Sequence, residues 1–508
     1  MLSKEPTNGG TTLRGASAAG TRNASSNPYI LFASAGLFAL AALVDSDPAG
    51  AQIAAESAGA GLEEVIVTAR RRDERNQETP VSIEAFSTEA LEARNVFSLT
   101  DIAKFTPDFQ MSPSSGNSGA SFAPQLYIRG IGQPEYLATA DPGVGVYLDG
   151  VYMARAIGQS PEIVDFESIQ VLRGPQGTLF GKNMVGGAIN MVSKPPSDIP
   201  GGYVEATGGT FSRKDLKMAV EGPLGSSALV GRLALATLNQ DGFIDRTTTD
   251  EKLGGRDSNL GRGALVWNAA DKLSVTFAAD YTRTRGDSSP GNIAAITSTG
   301  LLPLWNALIG GPGGHPITPQ DLPTNPYREA GTGPNVNELD LFGASVTVDA
   351  KSAPVAIKSI TAERGYRAEF GNDLGHSVLD YATTLALDHQ HQISEEIQFN
   401  GDALNTRLKW VGGLFYLGET WSDRNTVTLA HGLYSALESL PGAVIPLAPY
   451  PAGPNGLPLF TCPAAPISFP CAGGAGNPID VALDIDLRVN NRVDDKSYAA
   501  FSQGTYEM

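Results

Sequence analysis

Few residues in this chain have the types and spacing that chemistry requires. The run Arg173 to Asn183, RGPQGTLFGKN, sets glycines and a lysine beside an apolar stretch, the ingredients of a loop whose amides wrap a phosphate. Such a loop needs G-x-x-x-x-G-K-[ST], with a hydroxyl after the lysine to hold magnesium. Here Gly177 and Gly181 are separated by three residues, and Lys182 is followed by Asn183. Both the spacing and the metal ligand fail, so the segment reads as a turn between strands in which glycine supplies positive φ. No G-x-S-x-G and no H-E-x-x-H occurs, which leaves no catalytic constellation. The five histidines, His315, His376, His389, His391 and His431, show no metal-ligand spacing; the cluster Asp388, His389, His391 stands out, although a solvated strand end explains it as well. No metal or cofactor is expected.

The elements that would position any site are strands. Among 508 residues, 58 are Gly, only 18% are charged and 7% are aromatic, a composition that suits a β-rich chain with many turns. The net charge of −18 argues against nucleic acid or an anionic membrane surface as partner. At the front, Lys4, Arg14 and Arg22 precede the apolar run Pro28 to Val44, and small residues follow at Ala49 and Ala51. That order spells a secretory signal peptide over 1–51; a single membrane anchor is the rival, but the run is short of the roughly 20 apolar residues of a span. An exported chain without helical spans is soluble, lipid-anchored or a β-barrel. In an oxidising compartment Cys462 and Cys471, the only two cysteines, are expected to form a local disulfide.

Past the expected cleavage site lies Glu63, Glu64, Val65, Ile66, Val67, Thr68, Ala69, a β-branched segment followed at once by a charged tract. A short strand on a flexible leash over 52–75 can add to the edge of another protein's sheet, although an ordinary first strand reads the same way. Residues 76–200 have the composition of a globular α/β unit. VSIEAF alternates as a strand, Ser87 caps the helix TEALEAR, and Ser98 with Asp101 opens LTDIAKF. YIRGIG follows, then a hairpin turning at Asp149 and Gly150, then the strands IQVLRG and GAINMVS on either side of the glycine-rich turn.

From Gly201 onward, segments of about ten residues alternate apolar with polar or small side chains, the length and period of a tilted transmembrane strand. Leu216, Met218 and Val220 oppose Asp215, Lys217 and Glu221; Val275, Phe277, Ala279 and Tyr281 oppose Thr276, Asp280 and Thr282; Phe342, Ala344, Val346 and Val348 oppose Ser345, Thr347 and Asp349. A soluble β-sandwich would alternate in the same way. Two irregular inserts, Asn292 to Asn337 and Ser422 to Asp494, set against short connections, favour the barrel, whose long loops lie outside and short turns inside.

Taken in order, EEVIVTA, YIRGIG, VYLDGVY and IQVLRGPQGTLFGKNMVGGAINMVSKPP, followed by alternating strands, resemble a TonB-dependent outer-membrane receptor of the siderophore-receptor kind. The fold class expected is therefore β, a globular α/β plug followed by a transmembrane antiparallel β-barrel. The resemblance implies a 22-stranded barrel. The 308 residues from Gly201 to Met508 yield about ten strands, so the barrel is expected to be incomplete in this chain. It implies energised import of a scarce nutrient, most often a ferric siderophore, with Glu63 to Ala69 as the TonB box gripped by the inner-membrane TonB complex. The cargo would be an iron chelate; cobalamin, a carbohydrate, or outside the family an exported adhesin or enzyme, remain alternatives. Gly130, Gly174, Gly177, Gly181, Gly186 and Gly187 would shape plug turns. Receptors of this family lock plug arginines to barrel glutamates. Carried over by position, Arg129 and Arg173 become donors and Glu396 an acceptor. In HQISEEIQFNG, Ile393, Glu395, Ile397 and Phe399 share one face and Gln392, Ser394, Glu396, Gln398 and Asn400 the other, which turns Glu396 to the lumen.

Overall fold

The structure is a computed structural model and describes residues 66–67, 71, 74–75, 81–94, 96, 98–114, 119–134, 136–159, 161–162, 164–296, 302–307, 316–352, 354–378, 382–405, 407–429 and 485–506. The signal peptide, Glu63, Glu64, Val65, Thr68, Ala69 and both cysteines lie outside the described residues. What the tail contributes is β1 (Ile66–Val67) and β2 (Glu74–Arg75), antiparallel to each other with Ile66 opposite Arg75, and joined to no other sheet.

The plug begins with β3 (Ile83–Ser87), α1 (Thr88–Ala93) and α2 (Leu99–Ala103). Each helix opens as its polar residues dictate: Ser87 Oγ accepts from the Ala90 N–H at 3.3 Å, and Asp101 Oδ2 accepts from the Ser98 N–H at 3.1 Å. Next come β4 (Phe109–Ser112), β5 (Gln125–Ile128), β6 (Ile131–Gln133), β7 (Val144–Leu148), β8 (Val151–Met153) and β9 (Phe166–Arg173), then the one-turn helix α3 (Gly177–Phe180) and β10 (Gly187–Ser193). Two tight hairpins need consecutive left-handed residues. Asp149 and Gly150 supply φ of 52° and 82° between β7 and β8; Arg129 and Gly130 supply 53° and 74° between β5 and β6.

The main plug sheet runs β3-β9-β10-β7-β8, with only the β10–β7 pair parallel. Val144, Val146, Leu148, Ile169, Val171, Ile189 and Met191 on one face bury Leu91, Leu99 and Ile102 of the helices. The other face carries Tyr147, Tyr152, Leu172 and Ala188, which pack with Leu179, Phe180 and the wall residues Val411 and Leu417. Burial on both sides explains why VGVYL is a continuous apolar run rather than an alternating one.

After the plug, β11 (Gly201–Gly208), β12 (Lys214–Ser226) and β13 (Leu229–Gln240) lead to the short β14 (Ile244–Arg246) and β15 (Glu251–Leu253), then β16 (Arg256–Ala270) and β17 (Leu273–Gly286). Short β18 (Arg328–Glu329) precedes β19 (Asn337–Ser352), β20 (Val355–Asp373), β21 (Ala382–Ala403), β22 (Leu408–Leu429) and β23 (Ile485–Tyr506). Ten of these strands form one antiparallel sheet, β11-β12-β13-β16-β17-β19-β20-β21-β22-β23, open between β11 and β23. It is not a sandwich. Its inner face wraps the plug, while Met218, Val220, Leu233, Leu265, Trp267, Phe277, Tyr281, Phe342, Ile393 and Leu414 stand exposed on the outer face. An apolar surface of that extent suits lipid rather than water. No helix among the described residues is long and apolar enough to cross a membrane.

The strands correct one expectation. They lengthen from 8 residues in β11 to 22 in β21, β22 and β23, about twice the ten-residue segments read from the sequence. The second insert is accordingly shorter than Ser422 to Asp494, because β22 runs to Leu429 and β23 starts at Ile485. Strand pairing continues past the depth of the bilayer, where water lets both faces be polar and the alternation fades.

The tight β12–β13, β16–β17, β19–β20 and β21–β22 turns share one end of the sheet, and the long connections 241–255, 287–336 and 430–484 share the other. In outer-membrane barrels the long loops face outward. With Cys462 and Cys471 replaced by serine, an impermeant maleimide should label Asp250→Cys on intact cells but reach Leu404→Cys only after the outer membrane is opened. The reverse pattern would invert the topology.

Candidate functional site at the plug–wall interface

The interface is built from paired charges. Arg155 follows β8 directly, so the Asp149–Gly150 hairpin fixes where its guanidinium emerges. Its Nε donates to Glu419 Oε1 at 2.8 Å and its Nη2 to Oε2 at 2.6 Å, while Nη1 donates to the Ala138 carbonyl at 3.0 Å. Glu419 stands on the inner face of β22 with its side chain wholly buried. Gln390 Nε2 donates to the same carboxylate at 3.0 Å, and Gln392 Nε2 donates to the Tyr152 carbonyl at 2.7 Å. Burial alone would lower the Arg155 pKa; the hydrogen bonds and charge of Glu419 reverse that and hold it above the usual arginine value. This is the bidentate geometry in which a buried ion pair is fully satisfied.

A second contact lies lower on the wall. Arg71, in the tail, donates from Nη2 to Glu396 Oε2 at 3.0 Å and from Nε to the Leu179 carbonyl at 3.3 Å. Its guanidinium sits 5.1 Å from the Tyr147 ring centre and 4.7 Å from that of Phe180. Gln398 Nε2 donates to Glu396 Oε1 at 2.8 Å. Glu396 therefore lies in the lumen, as its register requires, but its partner is Arg71 and not Arg129 or Arg173. Those two residues project from the β5–β6 turn and the end of β9 into a cleft of about 610 Å³ shared with Gln503. Arg173 Nη1 donates to the Pro107 carbonyl at 3.4 Å, within the plug. The physical reason is reach: Arg71 is delivered to Glu396 along the tail, whereas both other arginines are fixed on the plug's own surface. Glu395 points outward and accepts from Ser359 Oγ at 2.7 Å and Thr361 Oγ1 at 2.5 Å.

Charge of the opposite polarity grips the other side. Wall Arg232 donates to Asp165 of the plug at 2.8 and 2.5 Å, and Arg256 pairs with Glu162 at 3.1 Å. Burial raises the Glu162 pKa, with Arg256 acting against it. Lys182 of the former phosphate-loop candidate meets Asp495 of β23 at 2.7 Å. Of the predicted turn glycines, Gly130, Gly174, Gly181 and Gly187 have positive φ, Gly177 opens α3, and Gly186 leads into β10, which Gly187 begins. Of the cluster Asp388, His389 and His391, Asp388 overturns the solvated reading: it is fully buried, and neither of its oxygens has a hydrogen-bond partner among the described residues. His391 faces outward against Glu363 at 2.7 Å.

Outside the membrane, three connections meet in a charged hub. Arg246 Nε donates to Glu329 Oε1 at 2.6 Å, and His376 Nδ1 lies 3.0 Å from Glu329 Oε2. Asp373 Oδ2 accepts from the N–H groups of Thr332 and Gly333 at 2.6 and 2.9 Å. Sequence reading missed this hub, Arg71 and Arg155 alike. The signal for Glu419 was a carboxylate at an inward-facing position of a strand, a signal that Asp423 on the same face shares.

Residues 75–188 match the family described as TonB-dependent Receptor Plug Domain. The pesticin receptor of Yersinia pestis is 30% identical over 226 residues, which is 44% of this chain and 32% of that protein. The ferripyoverdine receptor of Pseudomonas aeruginosa is 24% identical over 232 residues, 44% of this chain and 26% of that one. The vitamin B12 transporter of Vibrio cholerae is 25% identical over 212 residues, 40% and 32% of the two chains. The fold is similar to that of the ferric yersiniabactin uptake receptor from Yersinia pestis, with a TM-score of 0.56 at 20% identity over 69% of this chain and 50% of that one. This chain thus spans about a quarter to a third of the length of the curated relatives it matches.

Two outcomes follow from the geometry. Arg155→Met or Glu419→Leu alone should destabilise the seated plug by about 3 to 5 kcal/mol, because each strands a buried charge, while the double replacement should recover most of that loss. Differential hydrogen exchange of plug amides measures both. The hub should also be pH-sensitive. Burial raises the Glu329 pKa, but the bonds from His376 and Arg246 outweigh it and leave it lowered. Its contribution is therefore complete above the ordinary glutamate range and is lost as pH falls through the depressed value. Protease cleavage in 374–381 should rise only in that acid window; Glu329→Gln should cleave readily at neutral pH.

Proposed function

We propose that this chain, which carries a TonB-dependent receptor plug domain inside one wall of an outer-membrane strand barrel, takes part in energised import of a ferric siderophore. The observation that carries the reading is the strand β1, which pairs with β2 alone and belongs to neither the plug sheet nor the wall. A plug held by buried ion pairs blocks passive flow, so passage needs work applied to the plug. The tail offers the handle: Glu63, Glu64, Val65, Ile66, Val67, Thr68 and Ala69 serve as the TonB box, which adds as a strand to a sheet edge of the inner-membrane TonB complex. The protein is a binding and gating device of the cell outer membrane and performs no covalent chemistry.

The cargo reading is supported by relatives named for pesticin and ferripyoverdine. A likeness to a vitamin B12 transporter keeps cobalamin as the second reading. Growth of a knockout on ferric chelates, cobalamin and carbohydrates as limiting nutrients separates them. Loss of growth confined to one ferric chelate is expected; a defect confined to cobalamin would replace the iron reading. Within that assay, Ile66→Pro or Val67→Pro removes a backbone amide from β1 and should abolish uptake while cargo still binds at the surface. Undiminished uptake in both variants would remove the TonB-box assignment.

A further inference from the structure

Arg71 joins three parts of the molecule that the proposed transport would have to move relative to one another. It lies four residues beyond Val67, so the chain between them spans at most about 14 Å when fully extended. Once β1 has parted from β2 and that span is fully extended, further displacement of β1 loads Arg71, whatever path the linking residues take. The load passes through its side chain, buried on all but 8% of its surface, to Glu396 of the wall and to the Leu179 carbonyl of α3. We infer that Arg71 is the positioning residue through which tension on the tail reaches the plug, and that α3 is the first plug segment it moves; this deepens the transport reading above and rests on it.

The two anchors differ in stiffness. Glu396 sits within a 22-residue strand bonded to a neighbour on each side. By contrast α3 is a single turn flanked by Gly174 and Gly181, whose φ values of 99° and 83° leave them free to pivot. Among the described residues, one half-exposed ion pair, Lys182 with Asp495, ties the far end of this segment to β23, and such pairs hold weakly; the Phe180 carbonyl also accepts from the Tyr147 hydroxyl of β7, a bond that movement of α3 must break. Leu179 and Phe180 pack on Phe415 and Phe501 of the wall, so movement of α3 uncovers that part of the lumen. Withdrawal of Arg71 also leaves Glu396 buried without its cation, which favours return to the resting position once tension ends.

The test pulls on the intact receptor by an N-terminal handle in a supported bilayer, with no cargo present. At constant force, the first rupture counted after β1 parts from β2 should in the wild-type protein precede unravelling of the plug sheet. In Arg71→Gln its lifetime should shorten about tenfold, as expected for loss of a hydrogen bond to a charged group. Glu396→Gln should match it, the double variant should add nothing further, and Arg71→Lys should lie between. Heat-modifiable gel mobility confirms that each variant is folded. An unchanged first rupture in Arg71→Gln would overturn the inference, as would multiplied effects in the double variant. Because no transport is measured, failure here is distinct from failure of the import reading, which the β1 proline variants decide.

Discussion

A charge withdrawn from water into protein must meet its opposite in full, and the seat of the plug follows from that constraint. Arg155 and Glu419 satisfy it with two parallel hydrogen bonds, and Gln390, the Ala138 carbonyl and Asp141 add further partners around the pair. Around them Arg71, Arg232 and Arg256 repeat the solution at other heights of the wall. Replacing these contacts with apolar packing would hold the plug equally well but without orientation, because apolar burial is non-directional. Paired charges specify one seating and resist any intermediate displacement, where a half-broken pair is worse than either end state.

The polarity of the pairs is divided. Arg71, Arg155 and Lys182 carry the positive charge on the plug side toward β21, β22 and β23, whereas β13 and β16 present arginines to plug acids. A plug rotated within the wall would bring arginine to arginine and carboxylate to carboxylate, so the division fixes its azimuth. The apolar contacts add bulk rather than direction: Phe122 and Tyr136 stack edge-on against Phe370 of the wall, at 5.8 and 5.0 Å between ring centres. Beyond the bilayer, the Arg246, Glu329 and His376 hub ties the outer connections together by the same charged chemistry.

Much of the architecture was legible in the chain before any coordinates. Period-two alternation around Met218, Phe277 and Phe342 assigned lipid-facing and inward-facing sides correctly because side-chain direction in a strand depends only on parity. Ser87 and Asp101 marked helix starts for an equally local reason, a side chain reaching an amide three residues away. The Asp149–Gly150 turn was visible because few dipeptides tolerate two left-handed residues. Strand length was not legible: in β22 and β23 pairing runs on beyond the apolar band, and nothing in a polar stretch says whether a neighbour will pair with it.

The sequence by itself determined the elements, the faces of each strand and the inward direction of Glu396. It did not determine the partners. Arg155 and Glu419 are 264 positions apart, and Arg71 and Glu396 are 325 apart, so no spacing rule connects them. Arg129 and Arg173 drew attention because they stand beside glycines in conspicuous motifs, whereas Arg71 sits in a charged tract that looks like solvent-facing tail. Only the tertiary structure decided which arginine met which carboxylate, because that choice rests on where the wall curves around the plug and how far each backbone carries its side chain. Local periodicity encodes direction, and long-range closure alone encodes distance.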